Sequence, residues 1–244
     1  MIAIVPAAGR GTRLGSITED LPKVLVPVGS RPAIDWVLDG LRQASVDLIV
    51  VVTGHLAHAV EAHVEAHDVV CVRQQEPLGT AHALLAAAPI AGGSDFVYAW
   101  GDVVASPAAY RSVVSSGPGT LGVNRVADPY GGAAVVVRGG FARSIVEKPP
   151  RGTSLTPYNA AGIGYLPRTA WSHLERVGLS PRGEYELTDA LASMLDSGTL
   201  VRAVDVGEVH DVGTPASLAT ARDRIARLGL RAKGRDINGD PGQA

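Results

Sequence analysis

Short, nearly continuous apolar runs alternate with stretches of helical period through the first half of the chain. Residues 2–5, 48–52, 69–72 and 96–99 are such runs, the pattern of strands buried on both faces. Between the first two, Ile34, Val37, Leu38 and Leu41 recur three and four apart and predict a helix of about three turns with one apolar stripe. Pro32 precedes them, where a missing N–H is harmless. Residues 56–66 and 80–88 fill the next gaps as helices, so the repeating unit is strand then helix. Right-handed crossovers close such a repeat into a doubly wound, mostly parallel α/β sheet of the Rossmann type.

The second half has a different texture. Strands are predicted over 120–126, 133–137, 144–147 and 162–166, separated by glycine and proline turns; they read as a small antiparallel lid. A helix over 187–195, a strand over 200–204 and a last helix beginning at Thr214 return the chain to the core. Residues 231–244 hold little apolar content and read as a flexible tail. The expected organisation is therefore one domain over 1–230 followed by that tail. Within 222–236, six basic residues stand against two acidic ones, and we read them as a solvated helix end and not as a nucleic-acid patch. No internal repeat is present, nor the hexapeptide pattern of a β-helix.

Composition narrows the picture. With 244 residues, 46% of them hydrophobic, the chain can bury a sizeable core. Its 22 basic and 24 acidic residues leave a formal charge of −2, so no global field recruits nucleic acid or an anionic membrane. Any anion it binds needs a local site. The single cysteine, Cys71, lies in the apolar run 69–72; it reads as a buried, inert residue and excludes an intrachain disulfide. The opening residues lack the basic segment of a signal peptide, and no run approaches the roughly 20 apolar residues of a membrane span. The expectation is a cytoplasmic protein with neither nucleic acid nor membrane as partner; a homo-oligomer stays open.

The most informative stretch follows the first strand: Ala7-Ala8-Gly9-Arg10-Gly11-Thr12-Arg13-Leu14, then Leu21-Pro22-Lys23. Two glycines let the backbone approach a phosphate chain and turn N–H groups toward it, while Arg13 and Lys23 add fixed positive charge. A Gly-x-Gly alone is no more than a strand-to-helix turn; the two cations set this one apart. A dinucleotide-binding loop needs a third glycine where Leu14 stands, and an acidic residue after the second strand where the chain reads Thr53-Gly54. A P-loop needs Gly-x-x-x-x-Gly-Lys-Ser/Thr, which does not occur. Asp102, just past the fourth strand, stands where open α/β sheets bind ligands, and Asp211 comes from a later loop. Two carboxylates about 4 Å apart repel by roughly 4 kcal/mol at an effective dielectric of 20. A divalent cation removes that penalty, and oxygen ligands beside phosphates favour Mg²⁺. The plainer alternative is that each aspartate caps its own turn.

Together these residues resemble the signature of the sugar-1-phosphate nucleotidyltransferases: Ala-Ala-Gly-x-Gly-Thr-Arg-Leu with a following Pro-Lys. Further segments agree in the same order: 74–81 (Gln-Gln-Glu-Pro-Leu-Gly-Thr-Ala), Gly101-Asp102, Tyr130-Gly131, Glu147-Lys148-Pro149, Asn159 with Gly162, 183–189 (Gly-Glu-Tyr-Glu-Leu-Thr-Asp) and 211–215 (Asp-Val-Gly-Thr-Pro). The resemblance implies a glycosyltransferase-A-like nucleotidyltransferase fold with a sugar-binding lid. It also implies an enzyme that joins an NTP to a sugar 1-phosphate, giving an NDP-sugar and pyrophosphate. By position, Ala7, Ala8, Gly9, Gly11, Thr12, Gln74, Pro77, Gly79 and Thr80 would hold the nucleotide, with Gln74 on the base. Arg13 and Lys23 would be catalytic, and Asp102 and Asp211 would bind Mg²⁺. Gly131, Glu147, Lys148 and Asn159 would hold the sugar phosphate. Glu147 and Lys148 also read as an exposed strand-end pair; Glu184 is a candidate to touch the sugar, but Thr188 and Asp189 serve as well to cap the following helix, and these residues stay outside the catalytic set.

The resemblance to pyrimidine-using relatives around Gln74 points to UTP or dTTP. Guanylyl or other transfer, or a non-catalytic NDP-sugar-binding regulatory subunit, are the alternatives. The expectation is a catalytic domain without the acetyltransferase β-helix of bifunctional members. Pro6 and Val209 depart from the family pattern, where a leucine and an aromatic residue are usual; losing a ring beside the sugar leaves an unusual or deoxygenated sugar open. His55, His58, His63 and His67 read as a solvated helix face, His82 and His210 carry no assigned role, and Trp36, Trp100 and Trp171 read as core packing.

Overall fold

The computed structural model describes residues 1–227; the tail expected over 231–244 lies outside them. Nine strands form one sheet: β1 Ile2–Pro6, β2 Leu48–Thr53, β3 Val70–Arg73, β4 Phe96–Ala99, β5 Thr120–Arg125, β6 Ala133–Arg138, β7 Phe141–Glu147, β8 Tyr158–Leu166 and β9 Arg202–Asp205. Their spatial order is β3-β2-β1-β4-β8-β5-β9-β7-β6. The first four are parallel to one another, and β9 runs parallel to β5. Strand β8 is antiparallel to both β4 and β5. The doubly wound half is thus as the apolar pattern predicts. The antiparallel part is present as expected, and it continues the same sheet through β8. The sequence predicts this strand only over 162–166, but it begins at Tyr158 and takes Asn159 into the sheet.

Strand residues alternate between two cores, as a pleated ribbon requires. Ile2, Ile4, Val50, Val52, Phe96 and Tyr98 face one side; Ala3, Val5, Ile49, Val51, Val97 and Ala99 face the other. The first side is covered by α3 Thr80–Ala86, α5 Ala170–Leu174 and α6 Leu187–Asp196 through Leu84, Leu174 and Leu191. The second is covered by α1 Ala33–Gln43, α2 Ala57–Val64 and α4 Pro107–Ser115 through Leu38, Val60 and Tyr110. Helix α4 was absent from the sequence reading. It is short, and its start rests on Ser106, whose hydroxyl accepts from Ala109 N, with Pro107 at the first turn. A third cluster joins Leu14, Val26, Val104 and Val212 to Leu218 and Ile225 of the last helix, α7 Pro215–Arg227. It anchors the segment after β1 to the end of the described chain.

Three expectations are corrected. Strand β3 is an edge strand with half-exposed residues, because nothing among the described residues pairs beyond it. Cys71 is accordingly half-buried, although burial, then the Glu61 charge, pushes its thiol up. The histidines are not one solvated face: His58 is exposed, but His63 Nε2 lies 2.7 Å from Asp35 Oδ1 and His67 Nε2 3.7 Å from it. Those two close the end of α2 onto α1, while Arg42 donates to the His67 carbonyl and faces its Nδ1. All three tryptophans pack as expected: Trp36 and Trp171 each donate the indole N–H to a backbone carbonyl, and Trp100 lies against the core while also bordering the cleft described next.

Candidate active site

Strand order reverses between β1 and β4, and the crevice outside their carboxyl ends is where open α/β sheets take ligands. A cleft of about 1330 Å³ opens there, and every residue singled out for a role lines it. From the segment after β1 come Ala7, Ala8, Gly9, Gly11, Thr12 and Arg13; from the β3–α3 segment, Gln74, Pro77, Gly79 and Thr80. The lid side contributes Gly131, Glu147, Lys148 and Asn159, and the floor Lys23, Asp102 and Asp211.

Gly11 has φ +67 and caps the 3-10 helix Thr12–Thr18; a Cβ there would lie 3.0 Å from Lys23 Cβ. Glycine thus both turns the loop and lets Lys23 lie against it. Arg13 is exposed in the cleft without an acidic partner among the described residues. Asp102 and Asp211 meet because a small ribbon pairs Val103–Ala105 with Val209–Asp211, and Val212 N donates to Asp102 O at 2.9 Å. Sequence reading had no means to see that ribbon, which is three residues long and pairs segments a hundred residues apart. Gly213 completes it, since a Cβ there would stand 2.2 Å from Asp211 Oδ2. Lys23 Nζ donates to Asp102 Oδ2 and lies 3.5 Å from Asp211 Oδ1. Burial draws the Lys23 ammonium down, but the two aspartates outweigh it and hold it above its usual value. Crowding by protein, then the Asp102 charge, pushes the Asp211 carboxyl up despite the lysine. Two carboxylates turned on one cation, with like-charge strain left over, form a donor set that fits a hard divalent ion.

Gly79 has φ +108, and a Cβ would come within 2.6 Å of Tyr185 O; no other residue fits there without displacing that chain. Thr80 Oγ1 accepts from Leu187 N at 2.8 Å, pinning the start of α3 to that of α6. On the lid, Glu147 Oε2 accepts from Thr188 Oγ1 at 2.6 Å, and its Oε1 lies 3.4 Å from Arg182 and 3.6 Å from Lys148. Lys148 is left-handed at φ +43, its N donating to Gly132 O at 2.7 Å. Such a conformation costs a non-glycine residue roughly 1–3 kcal/mol and collects at ligand sites. Asn159 Nδ2 donates to Ala160 O at 2.9 Å. The sequence reading missed Arg182, Thr188, Trp100, Asn124 and His82. Trp100, Asn124 and Thr188 line the cleft, and His82 stands one step back against Gln74. Arg182 works one step back, holding Glu147 and Glu186. Only the neighbourhood of the 183–189 segment could have pointed to Arg182 and Thr188.

A profile of the family described as nucleotidyl transferase matches residues 2–227. The chain belongs to that family. Among curated relatives, the bifunctional protein GlmU of Nitrobacter hamburgensis is 33% identical over 250 positions, covering 96% of this chain and 54% of the relative. The low-salt glycan biosynthesis nucleotidyltransferase Agl11 of Haloferax volcanii is 31% identical over 242 positions, covering 92% and 66%. The chain therefore spans about half the length of the GlmU relatives it matches. Among solved structures, a UDP-glucose pyrophosphorylase from Acinetobacter baumanii superposes with TM-score 0.79 at 26% identity over 95% of each chain. A UDP-glucose pyrophosphorylase bound to UDP-glucose gives 0.81 at 19% identity, covering 93% and 98%, and shows the fold alone. The resemblance read from the motifs is thus a membership of the nucleotidyl transferase family. Among its described residues no helix is long and apolar enough to cross a membrane.

Proposed function

We propose that this nucleotidyltransferase acts in the cytoplasm on UTP or dTTP and a sugar 1-phosphate, giving the NDP-sugar and pyrophosphate. The observation that carries the reading is the convergence in one cleft of two cations and two carboxylates on the sheet side, faced by Glu147, Lys148 and Asn159 on the lid side. An oxygen of the sugar phosphate attacks the α-phosphorus in line, a new P–O bond forms, and the bond from the α-phosphorus to the bridging oxygen breaks as pyrophosphate leaves. The nucleophile is already anionic, so no general base is required. What remains is to suppress repulsion between two anions and to stabilise the leaving charge. The backbone at Ala7, Ala8, Gly9, Gly11 and Thr12 cradles the phosphates, Arg13 and Lys23 neutralise them, and Lys148 holds the sugar phosphate. Gln74, with Pro77, Gly79 and Thr80, takes the base, and Glu147, Asn159 and the Gly131 backbone meet the sugar. Asp102 and Asp211 would hold Mg²⁺, which supplies charge neutralisation at the phosphates when bound. The UDP-glucose pyrophosphorylase neighbour at 26% identity supports the pyrimidine choice.

Pyrophosphate release with Mg²⁺ tests this, using five nucleoside triphosphates against glucose, mannose, galactose, N-acetylglucosamine and heptose 1-phosphates. Turnover confined to UTP or dTTP with one sugar phosphate is the expected outcome. Nucleotide binding without turnover in any combination would mark a regulatory subunit, and the absence of both would remove the reading.

A further inference from the structure

Gln74 follows β3 directly and is only 7% exposed. Its Nε2 lies 3.2 Å from the Gly79 carbonyl oxygen and 2.8 Å from His82 Nδ1. A carbonyl oxygen can only accept, so the amide end facing Gly79 is the NH₂ group. The same step makes His82 Nδ1 an acceptor and leaves the ring hydrogen on Nε2. Both amide protons are then engaged inside the protein. Oε1 has no partner among the described residues, yet it is not among the sealed, unpartnered atoms, and the cleft runs past Gln74.

The surroundings hold this arrangement. Gln74 N donates to Thr53 O at 2.8 Å, and Ala81 N to Tyr185 O at 2.9 Å. Thr80 ties the first turn of α3 to α6. The His82 ring lies 6.4 Å from that of Tyr185. His82 is therefore carried on a helix start fixed from outside, and cannot follow Gln74 if the amide turns.

An amide free to rotate can show a ligand either a donor or an acceptor; glutamine reads adenine by using both at once. Gln74 has lost that freedom and shows an acceptor only. At the ring position a base edge that meets it must bring an N–H, which uracil and thymine do at N3 and guanine at N1, whereas cytosine and adenine have only their exocyclic amino hydrogens and would have to shift to offer them. The bare ring nitrogens of cytosine and adenine find no donor there. Position agrees, because Gln74 lies on the β3 side of the β1 loop, away from the lid. Resting on the reading of this cleft as a nucleotide site, we propose that His82 is a positioning residue that fixes the Gln74 amide and so selects bases bearing a ring N–H.

Calorimetry with UTP, dTTP, GTP, CTP and ATP in Mg²⁺, without sugar phosphate, tests this on the full chain. The tightest of the first three is expected to bind at least about tenfold better than CTP or ATP. In His82→Ala the ratio falls to within about threefold, and in His82→Asn, whose Oδ1 replaces the Nδ1 acceptor, it returns. His82→Leu, which keeps bulk without the acceptor, serves if the alanine variant does not fold. An unchanged ratio in a folded His82→Ala or His82→Leu overturns the proposal, as does wild-type preference for CTP or ATP. Gln74→Leu separates the two readings. If it abolishes the ratio while His82→Ala does not, only the role of His82 falls; if it leaves affinity and ratio intact, Gln74 does not touch the base and both fall.

Discussion

At the scale of single residues, the cleft is built from groups whose positions depend on glycines that leave room for them. Gly213 leaves room for Asp211, Gly11 for Lys23, and Gly79 for the Tyr185 backbone. Arg13 is the exception: it is exposed and makes no ion pair among the described residues, so its charge is available to a ligand. Arg13→Ala is expected to lower kcat by about 10² to 10³, the usual effect of removing one charge-stabilising donor, at an unchanged melting temperature. Steady-state kinetics beside thermal unfolding checks both halves; a variant with wild-type kcat removes Arg13 from the transition state. The motif residues were legible because anion binding demands glycine and cations at short spacing. His82 and Asn124 were not, because their partners lie across a turn or a strand, and no local pattern records that.

At the scale of elements, close approach decides more than propensity. Gly40 sits inside α1, where glycine costs about 1 kcal/mol of helix stability relative to alanine. A Cβ there would stand 2.3 Å from the ring of Tyr110 on α4. Overpacking a core of this kind costs roughly 1–3 kcal/mol, so the clash exceeds the gain. Gly40→Ala is expected to lower the melting temperature by a few degrees, and Gly40→Ala with Tyr110→Leu to recover part of it. A rise in the single variant would mean that α1 and α4 slide apart freely. Helix α2 is tied to the sheet by Glu61, which accepts from Arg73 on β3 and from Thr53 on β2. The Arg73 hydrogen bonds, opposed by some burial, hold its carboxyl down at about 2 against an ordinary 4.5. A depressed carboxyl contributes stability above the ordinary value and loses it as pH falls toward the folded one. The difference in melting temperature between wild type and Glu61→Gln is therefore expected to be full above pH 4.5 and to shrink between pH 4.5 and about 2. A difference independent of pH would assign the loss to packing instead.

At the scale of the whole molecule, acid sensitivity adds up over distant sites. Burial holds the imidazoles of His67, His173 and His210 below their ordinary 6.5. A lowered folded value favours protonation of the unfolded chain, so this stability is present above pH 6.5 and is lost as pH falls below it. Denaturant unfolding between pH 7.5 and 5.5 is expected to show that decline, and His67→Asn with His173→Gln to flatten it; equal slopes in both proteins would locate the acid response elsewhere. The same long reach shaped the active site. The sequence by itself determined the doubly wound half, through apolar runs that must be buried on both faces, and the phosphate loop, through glycines and cations placed locally. Only the tertiary structure decided that β8 joins the lid to that sheet, that a three-residue ribbon brings Asp211 to Asp102, and that His82 turns the Gln74 amide. The first two are pairings between segments distant along the chain and the third is a contact across a turn; all are fixed by hydrogen bonds and close contacts that exist only once the chain has folded, and so leave no period or spacing to be read.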